Sequence, residues 1–458
     1  MSPKLPVILI FDIGKTNKKL LLFNERYQLV YEENIQFSEI KDEDDFPCED
    51  LKTLSNWILN STQKIIHDPQ YQVKAINFAA YGASLVFLNS EGKLIAPLYN
   101  YLKPYPEELL SKFYTDYGGM ESFSLCTASP ILGNLNSGMQ LYRLKYQKPE
   151  VFKNISSVLH LPQFLSYLLT ETLSSELTSI GCHTNLWNFE TSNYHEWIYK
   201  EELHHLLPEI KPAKSIAGSF EDIPVGIGIH DSSSALIPYL LTVKEPFILL
   251  STGTWSISLN PFNQSSLTEN ELKNDCLCYL SYEGKPVKAS RLFSGNEHEQ
   301  QVKRLSEHFN KPINYYTSIE FDPGFSSRVK KYNPDISSIN TSSNSVFKNR
   351  NLDDFENYET AYHQLMVDLV EEQIKSSQLV LKGTHIKKLF VDGGFSRNII
   401  YMNLMAEAFP DLEVYAAAVP HATALGAALL LHNVWNKKQI PDDQIKSNLY
   451  TPPFTIHH

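Results

Sequence analysis

Residues 7–25, VILIFDIGKTNKKLLLFNE, decide how the rest of the chain is read. The run 7–11 is apolar at every position, which suits a strand buried on both faces. It ends on Asp12 and a turn at Gly14, and residues 18–25 return as a second apolar strand. Residues 27–37 (YQLVYEENIQF) follow as a third strand of a meander. Gly14-Lys15-Thr16 looks like the end of a Walker phosphate loop, but that motif needs a glycine five residues earlier, where this chain has Leu9. What remains is an acid at a strand end, a glycine that lets backbone N–H groups approach an anion, small polar side chains at Thr16 and Asn17, and the cations of Lys15 and Lys18.

The layout returns at 246–260, PFILLSTGTWSISLN: an apolar strand, a Ser/Thr/Gly turn and an alternating return strand. Such a duplication implies two related α/β domains with a cleft between them, here set at 1–243 and 244–458. Between these landmarks the periodicity predicts a helix over 50–66, a strand ending at Gly82, and a hairpin over 84–97 turning at Glu91-Gly92. It predicts mostly helix over 135–170, broken at Pro149 and Pro162. Residues 317–355, rich in Ser, Asn and Asp, read as a surface loop without assigned chemistry. A helix follows, with Leu365, Met366, Leu369, Val370 and Ile374 on one face and Gly383 as its cap. After it come a strand, the diglycine turn Gly393-Gly394, a helix capped by Ser396, and an Ala-rich helix over 424–435.

The chain has 458 residues and is 42% hydrophobic, enough for two or more domains with their own cores. Its net charge of −12 repels nucleic acid and anionic lipid, so neither is an expected partner, and any phosphate must be met locally. Five scattered cysteines argue for a reducing compartment over a disulfide framework. Cys276 and Cys278 form a lone CxC without a second ligand pair nearby. The apolar stretch after Met1 is too short for a signal peptide, and no run is long enough to span a membrane. The expectation is a soluble, cytoplasmic protein, in which sequons such as Asn60-Ser61-Thr62 carry no glycan.

Three further segments carry chemistry. STGTWS (251–256) repeats the donor-rich turn, with Thr252, Gly253 and Thr254 at the strand end. VDGGFSRN (391–398) offers close backbone approach at Gly393 and Gly394 ahead of a helix start. GIGIHDSSSAL (226–236) sets Asp231 before three serines. There Asp231 is either a helix cap or a carboxylate base that takes the proton of a hydroxyl attacking a phosphoryl group.

Taken in order, FDIGKTNKK, GIHDSSSAL, STGTWS, VDGGFSRN and PHATALGAALL resemble the FGGY family of carbohydrate kinases, of the actin/hexokinase/heat-shock-protein-70 superfamily, over nearly the whole chain. The resemblance implies two ribonuclease H-like (actin-like ATPase) domains with an interdomain cleft, sugar in the N-terminal lobe and ATP in the C-terminal one. It implies Asp231 as general base, Asp12 (with Asp231) as the carboxylate organising Mg²⁺, and Gly14, Lys15, Thr16, Asn17 and Lys18 with Thr252, Gly253 and Thr254 as phosphate hairpins. Gly393, Gly394 and Asn398 match the adenosine segment, and the family's habit suggests a homodimer that the sequence itself does not set.

Within the family the chain is most similar to the rhamnulokinase-like branch, through STGTWSISLNPF and FDPGFSS. That implies a ketose phosphorylated on a terminal hydroxyl, L-rhamnulose or a related deoxyhexulose or pentulose, met by Tyr81, Gly82, His183, Thr184, His230 and Asp231. Many members carry a Trp-x-Asp-x-Arg type motif where this chain has LYNYLKPY, with Tyr101 for the acid and Lys103 for the arginine. Two rivals share these hairpins: an actin-like ATPase, and a sugar sensor without turnover.

Overall fold

A computed structural model describes residues 3–325, 345–441 and 443–451. The chain forms two compact units: Met1–Thr242 with Cys278–Pro286 and Pro420–Gln444, and Val243–Leu277 with Val287–Val419 and Ile445–His458.

The first unit is built on a seven-stranded sheet. Leu5–Ile13 pairs antiparallel with Lys18–Asn24 on one side and parallel with Tyr71–Ala80 on the other. Leu29–Ile35 extends the meander, and Ile223–Gly226 and Ile216–Phe220 extend the far edge. Val7 through Phe11 are fully buried, as a strand covered on both faces requires, and each such apolar side chain contributes about 1.5–3 kcal/mol. The helix Leu51–Ile66 covers one face. Asp50 caps it by accepting from the N–H groups of Lys52 and Thr53, and Leu51, Leu54, Ile58 and Ile65 point inward. Phe11 stacks on Phe78 at 5.5 Å and meets Trp57 of that helix edge-on at 5.3 Å. On the other face, Asp231–Thr242 lies so close to Ala422–Leu430 that a Cβ on Gly426 would sit 1.9 Å from the Ser234 carbonyl.

The second unit repeats the plan in its own seven-stranded sheet. Phe247–Thr252 pairs antiparallel with Ser256–Asn260, which pairs antiparallel with Pro286–Leu292, while Lys388–Gly393 runs parallel on the other side. Glu413–Ala418 continues the parallel order. The long helix Tyr358–Leu381 packs across it through a hydroxyl seam: Ser258 to Ser377 at 3.0 Å, Gln373 Nε2 to Ser258 Oγ at 3.1 Å, and Ser290 Oγ to the Ser376 carbonyl at 2.7 Å. The chain is therefore α/β, with two sheets of one design.

Four local expectations are corrected. Residues 84–97 turn near Gly92, but the return reduces to a bridge between Leu88 and Leu94, and Leu85–Leu88 instead pairs with Ser157–His160. The region 135–170 is mostly helical and broken at Pro149 and Pro162 as expected, each proline opening a new helix where a missing N–H costs nothing, and the departure there is the strand Ser157–His160. Asn398, not Ser396, caps Ile399–Ala408, since Ser396 Oγ donates back to the Gly393 carbonyl. Ile374 is only half-buried, unlike the other four residues of its face. Gly383 follows the helix with φ +77°. Residues 326–344 of the expected loop lie outside the described residues. Among the described residues no helix is long and apolar enough to cross a membrane.

Candidate active site

Strand register assembles the acidic end of the first unit. Asp12 lies beside Ala79 of the parallel strand Tyr71–Ala80, and Ala79 lies beside Ile229 of the short parallel strand that precedes Asp231. Asp12 and Asp231 are thereby delivered to the carboxyl ends of three adjacent parallel strands, where α/β sheets bind ligands. Asp231 opens its helix, and its Oδ1 takes both donors, Ser232 N at 2.5 Å and Ser232 Oγ at 3.2 Å, with His230 Nε2 near it at 3.3 Å. Among the described residues nothing donates to Oδ2.

Both carboxyls are hard to ionise. The Asp231 side chain keeps 31% of its surface open, yet the protein around it desolvates the carboxyl and raises its pKa to about 6 against the two Ser232 donors. Burial, and secondarily the Asp231 charge, push Asp12 up to about 7, with Lys19 opposing. Lys19 is the residue that faces Asp12 across the antiparallel pair. Buried His230 is held down to about 4 by desolvation. The ring is neutral, its Nε2 lies 3.2 Å from Cys182 Sγ, and among the described residues its buried Nδ1 meets no partner.

Around this centre the structure places the expected sugar residues unevenly. Gly82 backs onto His230, whose Nε2 would be 2.8 Å from any Cβ there. Tyr81 is buried, its ring 6.2 Å from that of Tyr101 in an edge contact. Burial and then the Asp231 charge hold the Tyr101 phenol above its usual range, so Tyr101 lies within the field of the acid. The Thr184 hydroxyl serves its own turn, donating to the Ile180 carbonyl and accepting from Leu186 N. His183 Nδ1 sits 3.1 Å from the Leu135 carbonyl. Lys103, in the position of the family's arginine, is buried on the carboxylates of Asp42 and Asp44.

The turn at residues 14–17 closes through Gly14 N to the Asn17 carbonyl at 2.9 Å. Among the described residues the N–H groups of Lys15 and Thr16 meet no protein acceptor, so they are open to an anion. The Lys15 ammonium meets Glu39 at 2.6 Å and Asn17 Oδ1 accepts from Gln36. Lys18, expected at the phosphate, is 1% exposed, with its ammonium on Glu49 at 2.9 Å and on the Lys15 carbonyl. It anchors the turn from inside.

In the second unit Thr252 is wired to the diglycine turn. Its Oγ1 donates to the Asp392 carbonyl at 2.6 Å and accepts from Phe395 N, and its carbonyl accepts from Gly394 N at 2.8 Å. Gly253 N closes its own turn on the Trp255 carbonyl, as Gly14 does on Asn17, and the Thr254 carbonyl takes Asn296 N from the helix Ser294–His308. Gly253, Gly394 and Asn398 line a cavity of about 550 Å³ with Gly295, His298, Tyr316, Thr317, Ile319, Phe395, Arg397 and Ile399. Three polar-backbone approaches and a ring-rich wall suit a nucleoside. Sequence reading missed Gly295, His298 and Tyr316. Thr317 and Ile319 fall in the stretch left without chemistry, and the available signal was the helix start SGNEH after an apolar strand. Among the described residues no group of three or more His, Cys, Asp and Glu is placed to hold a metal ion, Cys276 and Cys278 included.

Comparison with known proteins bears on family and fold. The profile described as "FGGY family of carbohydrate kinases, N-terminal domain" matches residues 7–237, that of "Carbohydrate kinase FGGY, C-terminal domain" matches 244–317, and that of the family's C-terminal domain matches 360–432. A rhamnulokinase of Mannheimia succiniciproducens is 25% identical over 258 residues, 54% of this chain and 52% of the relative. The chain thus spans about half the length of the curated relatives it matches. A carbohydrate kinase from Novosphingobium aromaticivorans superposes with TM-score 0.79 at 20% identity, covering 97% of this chain and 96% of its own. A ligand-bound xylulose kinase from Lactobacillus acidophilus superposes at 0.76 and 15% identity, covering 98% and 94%. At these identities the likeness is one of fold, with two actin-like α/β domains.

Proposed function

We infer the activity from one premise: the chain belongs to the FGGY family of carbohydrate kinases. In this reading the protein transfers the terminal phosphoryl group of ATP to a sugar hydroxyl. The observation that carries it is the division of labour on Asp231. Both donors on the carboxylate, the Ser232 N–H and hydroxyl, go to Oδ1, so Oδ2 is the oxygen left to accept the hydroxyl proton as the new O–P bond forms and ADP departs. Phosphoryl transfer asks for positioning and charge neutralisation more than covalent help. The open N–H groups of Lys15 and Thr16 and the turn at Thr252–Thr254 supply donors for the phosphates, and the cavity of the second unit takes the adenosine. Transfer requires the nucleotide to present its terminal phosphate to the acids of the first unit.

Asp12 and Asp231 fit Mg²⁺: they are hard oxygen donors, and each is costly to ionise without a cation nearby. When bound, the ion supplies neutralisation of phosphate charge. Asp12 would hold it, with Asp231 adjoining.

The substrate in this reading is a ketose phosphorylated on its terminal hydroxyl, L-rhamnulose or a related deoxyhexulose or pentulose, supported by the rhamnulokinase relatives. Gly82, His230 and Tyr101 offer it neutral contacts beside the base. Lys103 is held by Asp42 and Asp44, so the family's usual cationic hydroxyl contact is taken over by other groups. None of the five cysteines is joined in a disulfide among the described residues, which suits the reducing cytoplasm. The test is a panel of ketoses and polyols with ATP and Mg²⁺, following ADP by coupled detection and product by mass. A sugar-dependent ADP signal with a phosphorylated product is expected. Sugar-independent hydrolysis would instead favour the ATPase reading, and sugar binding without product the sensor.

A further inference from the structure

The nucleotide cavity contains a hydrogen-bond chain whose direction can be worked out. Asn398 Oδ1 accepts from the N–H groups of Ile400 and Tyr401, both at 3.1 Å, so the other terminal atom is the amide nitrogen, which donates to Tyr362 Oη at 2.7 Å. Tyr362 is fully buried, and among the described residues its one other hydrogen-bond partner is His298 Nε2 at 3.0 Å. Were His298 to donate from Nε2, the phenol hydrogen would be left buried without an acceptor. The phenol therefore donates, Nε2 accepts, and His298 carries its hydrogen on Nδ1. Burial lowers the His298 pKa to about 4, which keeps the ring neutral. His67 and His363 each commit Nδ1 to the carbonyl four residues back, at 2.9 and 2.8 Å. Among the described residues nothing accepts from Nδ1 of His298, although the residue lines the cavity between the rings of Tyr316 at 5.1 Å and Phe395 at 5.4 Å.

We propose that His298 is a specificity residue that donates from Nδ1 to an endocyclic nitrogen of the purine base, its tautomer set by Tyr362 and Asn398. This rests on the nucleotide reading of the cavity. Asn398 is then a positioning residue: its Oδ1 is taken up by the helix cap and one of its amide hydrogens by Tyr362.

The experiment titrates ATP and its 1-deaza, 3-deaza and 7-deaza analogues onto the full chain without sugar, by calorimetry, for the wild type, His298→Asn and His298→Gln. Asn carries its amide where His carries Nδ1, whereas Gln carries it where His has Nε2. One deaza analogue should bind the wild type roughly fivefold to tenfold more weakly than ATP, the size of one neutral hydrogen bond. That penalty should persist in His298→Asn and vanish in His298→Gln. Equal affinity of all four nucleotides for the wild type, or an equal penalty in both variants, overturns the proposal while leaving the nucleotide reading intact. Failure of ATP itself to bind overturns both. A ¹⁵N histidine spectrum of the wild type, which needs no variant to fold, should show His298 protonated at Nδ1, and protonation at Nε2 would refute the assignment.

Discussion

The turn that follows Leu5–Ile13 carries charge, and the turn that follows Phe247–Thr252 carries none. Both join an antiparallel pair whose first strand has a parallel neighbour on its other side, and in both a glycine N–H closes the turn on a nearby carbonyl. The first turn is held from its flank by side chains: Lys15 on Glu39, Asn17 under Gln36, Lys18 on Glu49. The second is held mostly by backbone, through the Thr252 carbonyl and hydroxyl to the diglycine turn and Thr254 to Asn296, with the Trp255 ring tilted 4.4 Å from that of Phe293. One scaffold, used twice, is dressed differently: acids and cations in and beside the first turn, and an uncharged second turn whose nearby charges, Arg291 over the Trp255 ring and Asp392 on the next strand, lie outside it. On the proposed function, this division would let a chain of net charge −12 handle polyphosphate.

The comparison breaks most visibly at Asp231. If the first unit holds the base and the second only the nucleotide, Asp231→Asn should lower kcat by roughly a hundredfold to ten-thousandfold, the range for a lost general base. ATP affinity, measured by calorimetry, should stay within about twofold, because a lost carboxylate removes no donor from the cavity. A variant with near-normal turnover would return Asp231 to the role of helix cap.

A second test sharpens the contrast within the second unit. Gly393 has φ +93°, and a Cβ there would lie 1.9 Å from the Thr252 carbonyl, so Gly393→Ala should cost about 2–4 kcal/mol of that unit's stability in urea unfolding. Gly253 has its nearest neighbour at 3.8 Å, the Trp255 carbonyl. Gly253→Ala should leave stability within about 0.5 kcal/mol and still weaken ATP binding roughly tenfold, if the open side of that turn is where phosphate comes close. Equal affinity in the Gly253 variant would remove the turn from the phosphate site.

Much of this architecture is written in local pattern. Residues 7–11 and 247–250 are apolar at every position because both their faces are covered, and Leu51, Leu54, Ile58 and Ile65 mark a helix because only one face is. The positions of Asp12 at a strand end and Asp231 at a helix start were legible from the apolar runs before them, whereas their proposed roles came from the family resemblance. What escaped depends on partners distant in sequence. Ser157–His160 is a strand only because Leu85–Leu88 lies beside it. Residues 420–444 cluster with the first unit, which no periodicity announces. His298, Tyr316 and Phe395 meet at one cavity from three separate segments, and their chemistry exists only once those segments pack. Lys103 resembled a departure in sugar binding, but its ammonium belongs to Asp42 and Asp44, and the sequence gives no hint of that pairing.

The smallest effect concerns Asp12 and separates charge from scaffold by pH. Its folded pKa of about 7 lies above the ordinary 3.8, so the protonated form is the one the fold prefers. The associated stability is fully present below about pH 4 and is lost as pH rises through 7, where the ionised carboxyl must be kept near Asp231. Asp12→Asn keeps the shape and removes the charge. Without nucleotide or metal it should therefore melt a few degrees above the wild type at pH 8, worth about 1 kcal/mol after allowance for its partial exposure, and at the same temperature below pH 4. Saturating Mg²⁺ should raise the wild-type Tm at pH 8 and narrow the gap, since a cation favours the ionised form that only the wild type has. The second turn has no acid to titrate, so Gly253→Ala should follow the wild-type curve at every pH. An Asp12→Asn curve parallel to the wild type from pH 4 to 8 would mean that the carboxyl is not strained there, and the case for a cation beside it would lose its physical basis.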